Sequence, residues 1–278
     1  MKRVLTVQDI SCIGKCSLTT ALPILSAAGL ETAVIPTAVL SAHTAFNSFT
    51  FHDLTDEIPK ISNDWKNHNL TFDGIYTGYL GSVKQVETVS ELIDNFKSEN
   101  TLTVIDPVMG DHGKLYSGFT TDFSEKMKSF CKKADIIVPN LTEAALLTDT
   151  PYKVTYNREE IKELLKRLSD LCEGISILTG ISYDSNQLGI ASYNPVDNTY
   201  FEYFGEKSNE TFHGTGDIFA SSLCGALVNG IALNNSLKIA VDFTLKSIEL
   251  TLKDKNHVWY GVNFEQALPF YIEKISLL

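Results

Sequence analysis

Short β-rich runs alternate with helical stretches from the first residues onward, and that rhythm restricts the chain to very few folds. Arg3–Gln8 reads as a strand, and Ser17–Ala28 carries apolar residues on a helical period. A second strand is expected over Ala33–Leu40, interrupted by Pro36, followed by a helix from near Asp53 to Trp65. Phe72–Thr77 is the next strand. Ser82–Phe96 reads as a helix opened by Ser82-Val83-Lys84-Gln85, a capping-box pattern. Strands over Leu102–Asp106, Asp135–Val138 and Ile175–Thr179 continue the series, with helices at Thr121–Lys132 and after Asn140 and Asn157. Strands that recur with a helix between them predict a mostly parallel sheet covered by helices on both faces. The rhythm breaks once: Leu188–Tyr193 and Thr199–Phe204 flank the turn-rich Asn194-Pro195-Val196-Asp197-Asn198 and predict a hairpin at a sheet edge. From Thr215 the chain is helical, over roughly 215–229, 234–253 and 263–276. With no linker or repeat to divide it, residues 1–278 read as one α/β domain.

Charge and composition remove several functions. The chain holds 34 acidic against 23 basic residues, a formal charge of −11 that disfavours nucleic acid. No apolar run is long enough to span a membrane, and the first residues lack the apolar core of a signal peptide. Five cysteines, odd in number and scattered, fit free thiols in a reducing compartment. A cytoplasmic location is expected.

In parallel α/β sheets ligands gather at the carboxyl ends of the strands, and polar clusters fall there. His213-Gly214-Thr215-Gly216-Asp217 runs directly into the apolar helix Ile218–Val228. Two glycines let the backbone approach a ligand, and the helix start favours an anion such as phosphate. Asp217 would repel that anion as a bystander but makes sense as a proton acceptor for an attacking hydroxyl. A helix cap beside a turn explains the same residues, and one Gly-rich turn does not decide between the two.

Asp106-Pro107-Val108-Met109-Gly110-Asp111 offers two carboxylates suited to Mg²⁺, or simply turns. Asn140 and Glu143 fit a helix N-cap and its N3 partner, which is compatible with a place near a metal. Gly14-Lys15 looks like the end of a P-loop, but Asp9 stands where its first Gly belongs and Cys16 replaces the Ser or Thr. Dinucleotide and Gly-x-Ser-x-Gly fingerprints are absent from the sequence.

These motifs, together with Thr77-Gly78-Tyr79-Leu80-Gly81-Ser82 and His43-Thr44, resemble the pyridoxal (pyridoxamine) kinase family of the ribokinase-like superfamily over essentially the whole chain. The resemblance implies a single-domain three-layer α/β/α sandwich without a large lid, usually a homodimer. It implies ATP-dependent phosphorylation of the 5′-hydroxymethyl group of a B6 vitamer, with ATP and Mg²⁺ required and a monovalent cation left open. Asp217 would be the base, with Gly214, Thr215 and Gly216 as the anion hole. Asp106, Asp111 and Glu143 would surround Mg²⁺ and the phosphates, largely through water. Asp106, Asn140, Glu143 and Thr179 would face the nucleotide, while Asp9, Ser11, His43, Thr44 and Tyr79 would line the substrate pocket.

One departure stands out: Gln8-Asp9-Ile10-Ser11 replaces the Gln-Ser-His usual in pyridoxal kinases. Asp9 could pair with an amine or a protonated ring nitrogen, which suits pyridoxamine or an aminopyrimidine. Hydroxymethylpyrimidine kinases of thiamin synthesis carry a similar Asp, but typically place Cys where Asp217 stands. They are therefore the alternative, beside a non-catalytic vitamer-binding protein on the same fold. Lys114 and the loop His112–Gly118, bracketed by Gly113 and Gly118, are candidates for a mobile cover.

Overall fold

A computed structural model describes residues 1–208 and 210–277. In chain order the elements are β1 (Arg3–Ser11), α1 (Leu18–Ala27), β2 (Glu31–Leu40), β3 (Phe51–Asp53), α2 (Ile58–Asn67), β4 (Gly74–Thr77) and α3 (Val83–Phe96). Then come β5 (Leu102–Ile105), β6 (Gly110–Asp111), β7 (Lys114–Leu115), α4 (Thr121–Cys131), β8 (Ile136–Ile137), α5 (Leu141–Leu147) and α6 (Arg158–Cys172). The last are β9 (Ile175–Ile181), β10 (Gln187–Asn194), β11 (Thr199–Glu206), α7 (Thr215–Val228), α8 (Leu233–Lys253) and α9 (Phe264–Ser276).

Successive strand residues point to opposite faces, so each strand feeds two cores. Ile75, Ile105, Ile137 and Leu178 join a core with α2 to α6, while Tyr76, Val104, Ile136 and Ile177 join a second core with α1, α7, α8 and α9. The result is the expected α/β/α sandwich. Its sheet has nine strands in the order β11-β10-β9-β8-β5-β4-β1-β2-β3. The six strands from β9 to β2 are parallel, and the antiparallel β10–β11 hairpin and β3 form the edges.

The strand order reverses between β1 and β4, because the chain leaves β1 towards β2 through α1 and later returns on β1's other side. The helices that follow lie on opposite faces, which opens a crevice beyond the carboxyl ends of β1 and β4.

Three local expectations are revised. Pro36 does not interrupt β2; the β1–β2 ladder instead shifts register between Gln8 and Ile10, opposite the proline that has no N–H to give. Asp53 ends a short antiparallel strand rather than opening a helix. Its carboxylate accepts from the Thr55 backbone N–H at 2.7 Å in a turn, and α2 starts only where Pro59 can occupy its first turn. Ser82 caps α3, accepting from the Gln85 N–H at 3.1 Å, but Gln85 does not complete the box. Its buried amide accepts from the Gly81 N–H and donates to the Thr37 carbonyl and the Thr55 hydroxyl, tying α3 to the β2–α2 connection. The His112–Gly118 segment, the candidate cover, carries β7 of the β6–β7 hairpin, and its Gly113 N–H donates to Thr142 Oγ1 at 2.9 Å.

Candidate active site

The crevice is a cleft of about 730 Å³, and all fourteen candidate residues line it: Asp9, Ser11, His43, Thr44, Tyr79, Asp106, Asp111, Asn140, Glu143, Thr179, Gly214, Thr215, Gly216 and Asp217. They are spread over more than 200 positions of sequence and meet only because the carboxyl ends of the parallel strands lie side by side. Lys114, by contrast, is exposed and is not among the residues lining the cleft.

At its centre the Gly-rich loop turns into α7. Gly214 sits at φ 79°, and a Cβ there would meet the Lys15 carbonyl oxygen at 1.9 Å, so the position accepts only glycine. This contact presses the β11–α7 loop onto the β1–α1 loop. Lys15 itself is turned away: its amine donates to Asn263 Oδ1 at 3.2 Å and pairs with Glu265 at 2.7 Å. The apparent P-loop lysine is thus a structural strut.

Asp217 lies in the first turn of α7 and reaches solvent only partly. Burial pushes its carboxyl up to about 7; the Ser17 backbone N–H opposes that rise, and the charge of Asp9 adds to it. Asp9, buried at the register shift of β1, is also raised by burial, against hydrogen bonds from Ser17 and Ser11. The Ser11 hydroxyl donates to Asp9 Oδ2 at 3.3 Å. Burial raises Asp106 and Glu143 as well, Asp106 further by the charges of Glu143 and Asp217.

Glu143 has a double structural duty. Its Oε2 accepts from the Asn140 N–H at 2.9 Å, closing a capping box on α5, and its Oε1 accepts from the Met109 N–H at 3.1 Å. Asn140 caps α5 with its side-chain oxygen and gives one amide hydrogen to the Gly110 carbonyl at 2.9 Å. One amide hydrogen is left for a ligand. Thr179 continues the same rim, its N–H donating to the Pro139 carbonyl at 3.1 Å. Asp111 is largely exposed, its carboxylate accepting from the His112 N–H.

Across the cleft, His43 and His213 approach with ring centroids 5.0 Å apart, and burial with the neighbouring imidazole lowers the pKa of His43. Tyr79 stacks on Phe119 at 5.7 Å, its hydroxyl pKa raised by burial and by Asp9.

Mg²⁺ fits this donor set. Among the described residues Asp9, Asp106, Glu143 and Asp217 have no Lys, Arg or His at ion-pair distance, so their burial favours the protonated forms until an incoming cation stabilises the carboxylates. No three His, Cys, Asp or Glu side chains among the described residues converge into a ready-made metal cage. That suits an ion that keeps waters and takes phosphate oxygens alongside one or two carboxylates.

Sequence reading missed part of the lining. Val241, Thr244, Leu245 and Ile248 of α8 form one wall. Their helical spacing is the signal, yet the same stripe describes a core face, and nothing local separates the two. Ser17 and Cys16 were also missed, whereas Tyr116 falls in the loop named as a candidate cover.

Comparison with known proteins gives the site its context. Residues 23–260 match the family described as phosphomethylpyrimidine kinase. A Bacteroides thetaiotaomicron protein, provisionally described as a phosphomethylpyrimidine kinase and solved with pyridoxal, is 39% identical at a TM-score of 0.92, covering 97% of this chain and 95% of that one. Pyridoxal kinase from Lactobacillus plantarum is 29% identical at a TM-score of 0.91, covering 98% of this chain and 97% of that one. The pyridoxal kinase of Dictyostelium discoideum is 28% identical over 80% of this chain and 77% of its own length. The chain belongs to the phosphomethylpyrimidine kinase family and shares the ribokinase-like fold of the pyridoxal kinases it resembles.

Proposed function

We propose that the protein transfers the γ-phosphate of ATP to the 5′-hydroxymethyl group of a B6 vitamer, giving the 5′-phosphate and ADP. The observation that carries this reading is Asp217: a carboxylate with its pKa pushed up to about 7 in the first turn of a helix, directly behind a Gly-rich loop that suits an anion. A general base works best when its pKa lies near the working pH. The likeness to pyridoxal kinases supports the substrate class.

In this reading the substrate ring lies between Tyr79, His43 and Thr44, with Asp9 and Ser11 facing its polar groups. Asp217 accepts the hydroxyl proton as the oxygen attacks the γ-phosphorus in line. The backbone N–H groups of Gly214, Thr215 and Gly216 at the start of α7 face the phosphoryl oxygens, where negative charge is most stabilised. Asp106, Glu143 and Asp111 would hold Mg²⁺, largely through water, and the ion would neutralise charge on the phosphates. Asn140 and Thr179 face the nucleotide, and the apolar α8 wall provides a surface for its base. The reading also carries a homodimer, tested by light scattering, and a cytoplasmic setting. No helix among the described residues is long and apolar enough to cross a membrane.

A hydroxymethylpyrimidine is the second candidate substrate, favoured by the description of the matching family and by Asp9, whose carboxylate could pair with an exocyclic amine. Side-by-side kcat/KM for pyridoxal, pyridoxamine, pyridoxine and hydroxymethylpyrimidine, read as ADP release with Mg²⁺, decides between them. Preference for the pyrimidine replaces the vitamer reading, and ligand binding without ADP release removes the kinase reading.

A further inference from the structure

Trp259 is 56% exposed on the loop between α8 and α9 and does not line the cleft, yet it is no lone surface aromatic. Phe46, from the loop between β2 and β3, brings its ring to 4.7 Å from Trp259 and 5.3 Å from Tyr260, with tilted planes. Trp259 and Tyr260 meet edge to face at 5.7 Å, so three rings from two distant loops form one cluster. Tilted and edge-on pairs at such distances attract beyond the area they bury.

The two loops are held differently. The α8–α9 loop is a fixed post. Asp254 accepts the Asn256 N–H at 2.9 Å and the Asn263 amide at 3.0 Å, and the Asn263 N–H donates to Thr251 Oγ1 at 2.7 Å. A Cβ at Gly261 would meet the Lys15 side chain at 2.4 Å, so the post lies close against the β1–α1 loop. The β2–β3 loop is tied at its base, where the Ser41 and His43 N–H groups donate to the Thr50 and Ile13 carbonyls at 3.1 and 2.7 Å. Past His43 it closes on itself, the Phe46 N–H donating to the His43 carbonyl at 2.9 Å. Among the described residues, positions 44–49 make no hydrogen bond to another element. This tip carries a wall of the cleft: His43, Thr44 and Ala45 line it, and Phe46, next in sequence, docks on the post instead. The post also reaches the facing wall. His257 meets Phe212 edge-on at 6.1 Å, one residue before His213, whose ring lies 5.0 Å from that of His43.

We propose that Phe46 is a positioning residue whose docking on Trp259 and Tyr260 holds His43 and Thr44 against the ring of the substrate. This rests on the kinase reading above, in which those two residues line the substrate pocket. Without the docking the wall is in place only part of the time, and apparent affinity falls by the docked fraction. Once substrate is bound the wall is in place, so turnover at Asp217 is spared. The nucleotide residues Asn140 and Thr179 lie on other loops and are spared as well.

Phe46→Ala tests this by KM and kcat for whichever candidate substrate the parent prefers and by KM for ATP, with melting curves beside them. Substrate KM should rise roughly tenfold, the scale of losing an aromatic pair, with kcat and the ATP KM changed less than about threefold. Phe46→Tyr keeps the ring and should hold substrate KM within about twofold of the parent. Trp259→Ala attacks the contact from the exposed side and should raise substrate KM too. In the double variant the two effects should not multiply, because both remove one contact. Substrate KM near that of the parent in folded Phe46→Ala protein overturns the inference. So does an equal rise in the ATP KM, a loss confined to kcat, or single effects that multiply in the double variant. Should Phe46→Ala fail to fold, Trp259→Ala with the ATP control carries the test. Parent protein inactive on every candidate substrate defeats the kinase reading and this inference together; active parent with unaltered variants defeats this inference only.

Discussion

Carboxylates on the outer surface and carboxylates in the cleft are the same chemical groups in opposite situations. Asp56 pairs with Lys84 at 2.6 Å, Glu160 with Lys153 at 2.6 Å, and Glu249 sits between Lys246 and Lys253. Their lysine partners hold these acids below the ordinary carboxylate range, Glu249 at about 2. Asp9, Asp106, Glu143 and Asp217 are raised instead, first by burial, and among the described residues no basic side chain pairs with them. Exposed pairs of the first kind add little to stability, because solvent and salt screen them. Uncompensated charge of the second kind costs stability, and a fold retains it where a ligand or a reaction needs it.

The largest test of that contrast is Asp217→Asn. Turnover should fall by roughly 10²–10⁴ if Asp217 is the base, with melting preserved. A folded variant that turns over like the parent removes the assignment.

Next in size is the pH dependence. A base raised to about 7 must lose its proton before it works, so kcat/KM should fall on the acid side with an apparent midpoint near 7. The buried carboxylates titrate as a group, and the midpoint belongs to them jointly. An acid limb at the value of an ordinary carboxylate, about 4, would show that the site is not desolvated as described. Stability runs the opposite way. These folded-state pKa values lie above the unfolded ones, so the folded chain binds more protons between the two. This contribution therefore weakens stability as pH rises through that window, from about 4 to about 7 for Asp217. Melting temperature measured across the window reads it.

Asp106→Asn should separate stability from function. Removing a buried charge should raise the melting temperature at about pH 8 by roughly 2–4 °C while lowering turnover. Asp56→Asn, its surface counterpart, should leave both unchanged. If Asp106→Asn instead destabilises the protein, its charge has a partner that the contrast overlooks.

The smallest effects come from the two capping boxes. Asn157→Ala should cost about 1 kcal/mol of stability with turnover unaltered, since that cap lies on an exposed helix start. Asn140→Ala should cost a similar amount and also lower kcat/KM, because its amide also holds the Gly110 carbonyl at the rim of the cleft. Denaturant melts beside steady-state kinetics separate the two, and equal kinetics in both variants would place Asn140 outside the site.

Much of this architecture was legible in the chain itself. Period-two and helical patterns are local, so the strand–helix rhythm, the edge hairpin over Gln187–Glu206 and the Asn140–Glu143 capping box followed from residues close in sequence. What failed was also local in cause. Gln85 sits three residues after a capping serine, yet its amide reaches partners at Thr37 and Thr55, some 30 to 48 positions away. Asp53 reads as a helix start, but pairing of β3 with β2 decided its conformation.

By itself, then, the sequence determined the order of elements, the Gly-rich turn before α7 and which polar residues fall at strand ends, because each depends on neighbours along the chain. Tertiary structure alone decided that fourteen such residues share one cleft, that Lys15 serves as a strut, and that the α8 stripe forms a wall of the cleft. It also decided the protonation of the carboxylates. Desolvation is set by whatever packs around a group, and Asp217 meets Asp9 from the opposite end of the chain.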